Sequence, residues 1–253
     1  MILTPENRIK DYTAKGWWGT DTLYSLFIAA CEESGDSEAL VDAPNRREFT
    51  LGDPRRLNFN QIKTEVDRYA SIFYDAGFRK DDKVVLQLPN IVELAILYIA
   101  LSKIGIIISP VPIQYGKYEI TKIIDDIKPK GYIGIASFNS KNFAEGIRNA
   151  FNNEHILFSV GDADGFININ NKAFGEDSLA DTDAYTQSIT NSANDILTIC
   201  WTSGTTGTPK GVPRSHNLWI TMAKAAYHLA NTQKGDILLN PFPLVNMASI
   251  GGF

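Results

Sequence analysis

Trp201-Thr-Ser-Gly-Thr-Thr-Gly-Thr-Pro-Lys-Gly211 follows the apolar run Ile196 to Trp201 and carries a single cation, Lys210. Glycine and hydroxyl side chains at this density make a loop suited to holding phosphate. Gly204, Gly207 and Gly211 are expected to take positive φ and let the backbone approach a ligand, while Ser203, Thr205, Thr206 and Thr208 add hydroxyl donors to the main-chain N–H groups. Lys210 then offsets anionic charge. A shorter Gly/Ser/Thr cluster would be read as a plain surface loop; length and residue order argue against that here. The stretch is not a Walker loop, because Pro209 stands five residues past Gly204 and Lys210 is followed by Gly211 and Val212.

Upstream, apolar strands alternate with amphipathic helices. Asn58 and Gln61 form a capping pair for a helix running to about Ala76, with Ile62, Val66, Tyr69 and Phe73 on its inner face, and Lys83 to Leu88 reads as the next strand. Ile91 to Ile113 is apolar enough to suggest a membrane span. It contains Glu93, Lys103, Gly105, Pro110 and Pro112, so it is read instead as a helix, capped by Asn90 with Glu93 and stopped at Gly105, followed by a strand over 106–109. Helix over 118–127, strand over 132–136, helix over 142–151 and strand over 156–160 continue the alternation. Earlier, a helix over 23–31 and a short strand over 39–41 pack beside it. Apolar strands separated by helices predict an α/β fold, with mostly parallel sheets covered by helices on both faces.

Residues 161–194 are rich in Asn, Asp, Gly and Ser and read as a connector. The chain is thereby divided into a first α/β subdomain with its connector, 1–190, and the start of a second α/β subdomain carrying the loop, 191–253. Beyond the loop, Ser215 or His216 opens a helix with Leu218, Met222, Ala225, Ala226 and Leu229 on one face, and 237–239 reads as a strand.

Composition sets wider bounds. The 253 residues are 44% hydrophobic, enough for a sizeable core, and the net charge of −5 argues against nucleic acid as a standing partner. Cys31 and Cys200 both lie in apolar runs and form no disulfide framework, which fits a reducing, cytoplasmic compartment. The N-terminal residues lack the apolar stretch of a secretion signal. No Cys/His spacing suggests zinc.

The eleven-residue string is similar to the signature of the adenylate-forming superfamily, Tyr/Phe-Thr-Ser-Gly-Thr-Thr-Gly-x-Pro-Lys-Gly, with Trp201 in the place of the first aromatic. Leu57-Asn-Phe-Asn-Gln-Ile62 and Ala100-Leu-Ser-Lys-Ile-Gly-Ile-Ile-Ile-Ser-Pro110 resemble two further segments of that superfamily. Asn240-Pro-Phe-Pro-Leu-Val-Asn-Met247 resembles a fourth, with Asn246 where a histidine or aromatic is usual. Tyr12-Thr-Ala-Lys-Gly-Trp-Trp18, Val84-Val-Leu-Gln-Leu-Pro-Asn90 and Gly211-Val-Pro-Arg-Ser-His216 bring the chain nearest to acyl-CoA synthetases that resemble cyclohexanecarboxylate-CoA ligase.

The resemblance implies ATP-dependent activation of a carboxylic acid to an acyl-adenylate, then thioester formation with CoA. Thr202, Ser203, Gly204, Thr205, Thr206, Gly207, Thr208 and Lys210 would bind the nucleotide, Thr205 and Thr206 would help hold Mg²⁺, and Asn246 and Met247 would touch the acid. The superfamily's catalytic lysine belongs to a lid domain with no counterpart here. The expectation is therefore an N-terminal fragment, inactive alone, and no catalytic residue is assigned in this chain. The implied partners are a small carboxylic acid, ATP and CoA, with a homodimer left open. An aryl-acid enzyme loading a carrier protein and a non-catalytic truncated nucleotide-binding protein are the alternative readings.

Other polar residues are given ordinary roles. His216 is read as bracing a helix start rather than as a base. His155 and His228 are read as structural or surface residues, Asp125-Asp126 as a solvated face, and Trp17-Trp18 as an anchor for the N-terminal arm. Arg214 could reach an anion, yet a lone arginine beside a loop is ordinarily solvated or paired.

Overall fold

A computed structural model describes residues 1–172, 175–202 and 209–251. The N-terminal part contains α1 (Glu6–Ala14), α2 (Leu23–Ser34), β1 (Glu38–Val41), α3 (Arg46–Phe49) and β2 (Arg56–Asn58). The alternating part follows with α4 (Phe59–Asp75), β3 (Lys83–Leu86), α5 (Val92–Lys103), β4 (Ile107–Pro110), α6 (Lys117–Ile127) and β5 (Gly131–Ile135). Next come β6 (Ser137–Phe138), β7 (Lys141–Asn142), α7 (Phe143–Arg148), β8 (Ile156–Val160), β9 (Ile167–Asn168) and α8 (Glu176–Ser188). The last described elements are β10 (Ile196–Thr202), β11 (Lys210–Ser215), α9 (His216–Ala230) and α10 (Met247–Ile250).

Seven strands form one sheet in the order β11-β10-β4-β3-β5-β8-β9. Every neighbouring pair is parallel except β10 with β11, which is antiparallel. Both faces of the sheet are covered. Along β3, Val84 and Leu86 pack into a core with α4 and α5, whereas Val85 packs on the opposite side with Ile120 of α6 and Ile147 of α7. That alternation follows from the two-residue period of a strand. The α/β reading of the sequence therefore holds, with β10 and β11 hydrogen-bonded onto the same sheet.

Helix α4 forms as its sequence predicts. Asn58 Oδ1 accepts from the Gln61 N–H and Gln61 Oε1 accepts from the Asn58 N–H, satisfying two free donors at the helix start. Ile62, Val66, Tyr69 and Phe73 are all buried. Helix α5 begins differently from expectation: Ile91 is its N-cap, with no side-chain cap. Asn90 and Glu93 are engaged elsewhere. Asn90 exchanges hydrogen bonds with Phe242 O and the Leu244 N–H, both 2.8 Å, and Glu93 makes a two-pronged pair with Arg46 at 2.9 and 2.8 Å. Every residue of α5 is buried, Glu93 and Lys103 included, and both are paired. Among the described residues no helix is long and apolar enough to cross a membrane.

The connector reading of 161–194 is corrected, because β9 joins the sheet and the 13-residue α8 packs on α4. The helix carries no apolar stripe; Thr182 is its buried residue. Polar contacts hold it instead: Lys103 Nζ donates to Asp183 Oδ1 at 2.7 Å, Tyr185 Oη accepts from the Lys80 N–H at 2.6 Å, and Tyr185 stacks on Tyr74. Two further expectations fail downstream. Helix α9 buries His216, Asn217 and Trp219 rather than the face through Leu229, which is 86% exposed. The 237–239 segment forms no strand, and Ile237 is 95% exposed.

Candidate nucleotide and acid site

Strand β10 runs parallel to β4, so its last residue, Thr202, lies at the carboxyl end of the parallel sheet. In open α/β sheets this is the end at which ligands bind. The chain returns as β11, and the register closes on Trp201 opposite Gly211 and Thr202 opposite Lys210. Thr202 and Lys210, both exposed, therefore flank the two ends of the glycine and hydroxyl segment. Ser203, Gly204, Thr205, Thr206, Gly207 and Thr208 lie outside the described residues.

Gly211 has a role other than the one expected. It is not among the glycines with positive φ. A Cβ there would meet Ile199 Cγ2 at 3.0 Å and the Trp201 ring at 3.1 Å. The glycine thus leaves room for the indole to lie across the hairpin, where Trp201 Nε1 donates to Ser109 Oγ of β4 at 2.8 Å. Trp201 ties the base of the hairpin to the parallel sheet.

Asn246 and Met247 lie at the start of α10. Asn246 is exposed and caps the helix without a side-chain bond, while its carbonyl accepts from the Ser249 and Ile250 N–H groups. Tyr98 Oη of α5 donates to Leu244 O at 2.9 Å, and Asn90 holds both sides of Pro243, fixing the approach to α10. Met247 Sδ accepts from Arg214 Nη2 at 3.3 Å. The structure thereby brings Met247 to β11, four residues beyond Lys210.

Arg214 is half-buried, and among the described residues its Nε is fully buried with no hydrogen-bond partner. Burial raises the nearby Cys200 thiol above its ordinary pKa, with Thr198 and the Arg214 charge pulling it back.

His216 braces the fold as expected. Its Nδ1 accepts from the Leu23 N–H at 3.1 Å, satisfying a donor at the start of α2. Burial pushes its pKa down to about 4. It is neutral at pH 7 and tied to the fold, so it serves poorly as a base. Asp195 beside it is held below the ordinary carboxylate range: burial opposes this, but Lys80, the N-terminal amine and the Ser192 N–H outweigh it. His155 bonds Asn152, His228 is exposed, and Asp125 and Asp126 are solvated. Of the tryptophan pair, Trp18 is buried while Trp17 is 57% exposed.

A mostly parallel sheet with Thr202 and Lys210 exposed at its carboxyl end presents them where open α/β proteins bind their ligands. Residues 27–253 match the family of AMP-binding enzymes, and the chain belongs to that family. The medium-chain fatty-acid–CoA ligase of Escherichia coli (strain K12) is 22% identical over 239 residues, covering 94% of this chain and 41% of that protein. The crotonobetaine/carnitine–CoA ligase of Salmonella paratyphi A is 26% identical over 228 residues, covering 89% of this chain and 42% of that protein. The apo structure of Mycobacterium smegmatis MbtA shares the fold, with a TM-score of 0.81 and 21% identity over all of this chain and 45% of that one. The chain spans under half the length of these relatives.

Proposed function

We propose that this chain forms the nucleotide-gripping part of an ATP-dependent acid–thiol ligase of the acyl-CoA synthetase type. The observation that carries this reading is the β10–β11 hairpin, whose Thr202–Lys210 pair lies at the carboxyl end of the parallel sheet. A carboxylate oxygen attacks the α-phosphorus of ATP; the new O–P bond forms as the bond to the bridging oxygen breaks, and pyrophosphate leaves with the electron pair. The CoA thiol, losing its proton, then attacks the acyl carbon and releases AMP.

Such phosphoryl chemistry depends on positioning and on compensating charge. Ser203, Gly204, Thr205, Thr206, Gly207 and Lys210 hold the β- and γ-phosphates in this reading, with Thr202 and Thr208 at the margins. Among the described residues no group of three His, Cys, Asp or Glu could hold a metal ion. The hydroxyls of Thr205 and Thr206 are hard oxygen donors of the kind Mg²⁺ accepts, and that ion would supply charge neutralisation at the phosphates. Asn246 and Met247 border the acid. The same reading treats 1–190 as the first subdomain and 191–253 as the start of the second, and places the protein in the cytoplasm, where buried free Cys31 and Cys200 are stable.

Acid-dependent exchange of labelled pyrophosphate into ATP, run with the complete gene product across a panel of carboxylic acids, tests this function. Exchange supported by at least one acid is the expected result. Exchange with none would remove the ligase reading.

A further inference from the structure

Asn90 reads in the sequence as a helix cap, and the fold uses it otherwise. It stands four residues past the end of β3, at the same carboxyl end of the sheet as Thr202. Its amide engages the segment that leads into α10. Nδ2 donates to Phe242 O at 2.8 Å, and Oδ1 accepts from the Leu244 N–H at 2.8 Å. Donor and acceptor of one side chain thus grip a span of three residues that is distant in sequence.

Phe242 O carries that grip onward to the helix. Ser249 Oγ of α10 lies 3.0 Å from Phe242 O and 2.8 Å from Asn240 Oδ1, one hydroxyl proton shared between two acceptors. Ser249 is buried, and its carbonyl accepts from Asn240 Nδ2 at 3.1 Å, which closes the 240–249 loop on itself. Met247 precedes Ser249 by two residues in the same helix, and Asn246 is the N-cap. One hydrogen-bonded route therefore joins the end of β3 to the two residues read as bordering the acid.

Burial fixes only part of this loop. Leu244 and Val245 sit in the core and Tyr98 Oη donates to Leu244 O at 2.9 Å, so the 244–245 end is anchored without Asn90. The 240–242 end is not, since Phe242 is 58% exposed, and α10 has four residues, too few for its own internal bonds to set its orientation. Asn90 is exposed as well. Its hydrogen bonds form in competition with water and contribute little to global stability, so they decide where Phe242 and Ser249 stand rather than whether the chain folds.

We propose that Asn90 is a positioning residue for the acid: through Phe242 O and Ser249 it holds α10, with Asn246 and Met247, against the carboxyl end of the sheet. This rests on the acid-activating function proposed above. Without the grip the 240–249 loop samples other placements, and the apparent affinity for the acid falls by the fraction of time spent in the competent one. Saturating acid restores that placement, so turnover at saturation is preserved. The 203–208 segment is joined to the β10–β11 hairpin, to which Asn90 makes no hydrogen bond among the described residues, so ATP binding is unaffected.

Pyrophosphate exchange by the complete gene product, with acid and ATP varied in turn, tests this. Asn90→Ala should raise the KM for the acid about 5- to 30-fold, the weight of two exposed hydrogen bonds, and leave kcat and the KM for ATP within about twofold of wild type. Asn90→Asp keeps the acceptor for the Leu244 N–H but loses the donor to Phe242 O. It should raise the acid KM too, because the route to α10 runs through that carbonyl, and it decides if Asn90→Ala does not fold. Ser249→Ala cuts the same route one bond later, so the double variant should raise the acid KM no further than the larger of the two single changes. Amide exchange over 244–251, read without nucleotide or acid, should be faster in Asn90→Ala. An acid KM equal to wild type, a fall in kcat with the acid KM unchanged, an equal rise in the KM for ATP, fully additive single changes, or unaltered amide exchange would each overturn the assignment while leaving the ligase function standing. Absence of exchange by wild type with every acid would instead remove the ligase function, and this assignment with it. Melting curves of the variants separate lost positioning from lost fold.

Discussion

Gly211 lies on β11 and His216 opens the helix that follows it, and both serve the framework of the fold. The folded-state pKa of His216, about 4, is below its ordinary value of 6.5, so the unfolded chain binds more protons between those pH values. Its contribution to stability is therefore complete above pH 6.5 and is lost as pH falls toward 4, by up to about 3 kcal/mol. Urea unfolding of the protein at pH 7 and pH 4.5 should show this slope, and His216→Asn, whose amide oxygen can still accept from Leu23, should flatten it. An unchanged slope in the variant would place the titration elsewhere. Gly211→Val should cost about 1–3 kcal/mol, because branched carbon would be forced against Ile199 and a Trp201 ring held in place by Ser109. Urea midpoints measure it; a variant as stable as wild type would show that the indole can move aside.

At the scale of elements, what the sequence made legible followed apolar periodicity. Helix α4 was readable from Ile62, Val66, Tyr69 and Phe73 and from the Asn58–Gln61 cap, and strands such as β8 from unbroken apolar runs. Helix α8 was not, because its stability comes from long-range polar contacts that leave no local pattern. Asn90 and Glu93 misled for a related reason: their spacing suits a capping box, but Phe242, Leu244 and Arg46 are distant in sequence and take both side chains. The hairpin of the candidate site was legible through its signature, while the burial of Arg214 Nε was not, since burial appears only in three dimensions. If Tyr185 anchors α8, Tyr185→Phe leaves the Lys80 N–H without its acceptor and should cost about 1–3 kcal/mol. Amide exchange should then speed up across 176–188; protection equal to wild type would mean that the ion pair of Lys103 and Asp183 suffices.

At the scale of the whole molecule, the sheet holds Thr202 and Lys210 at its carboxyl end, and among the described residues an apolar stretch after α9 is left uncovered. Ile237, Leu239 and Phe242 are 95%, 84% and 58% exposed. A strand read there from sequence forms no ladder among the described residues, since an isolated extended segment has no partner for its backbone groups. Exposed apolar surface of this kind promotes association. Sedimentation velocity should show concentration-dependent self-association of this chain that Ile237→Lys with Leu239→Lys suppresses; a monomer at all concentrations would contradict it.

The central claim is that the segment between Thr202 and Lys210 holds the tail of a triphosphate. A crystal structure of this chain grown with ATP tests it most directly. The β- and γ-phosphates should lie against the 203–208 segment, with Lys210 Nζ within hydrogen-bonding distance of a phosphate oxygen. Nucleotide bound on another part of the sheet, or phosphates out of reach of Lys210, would contradict it.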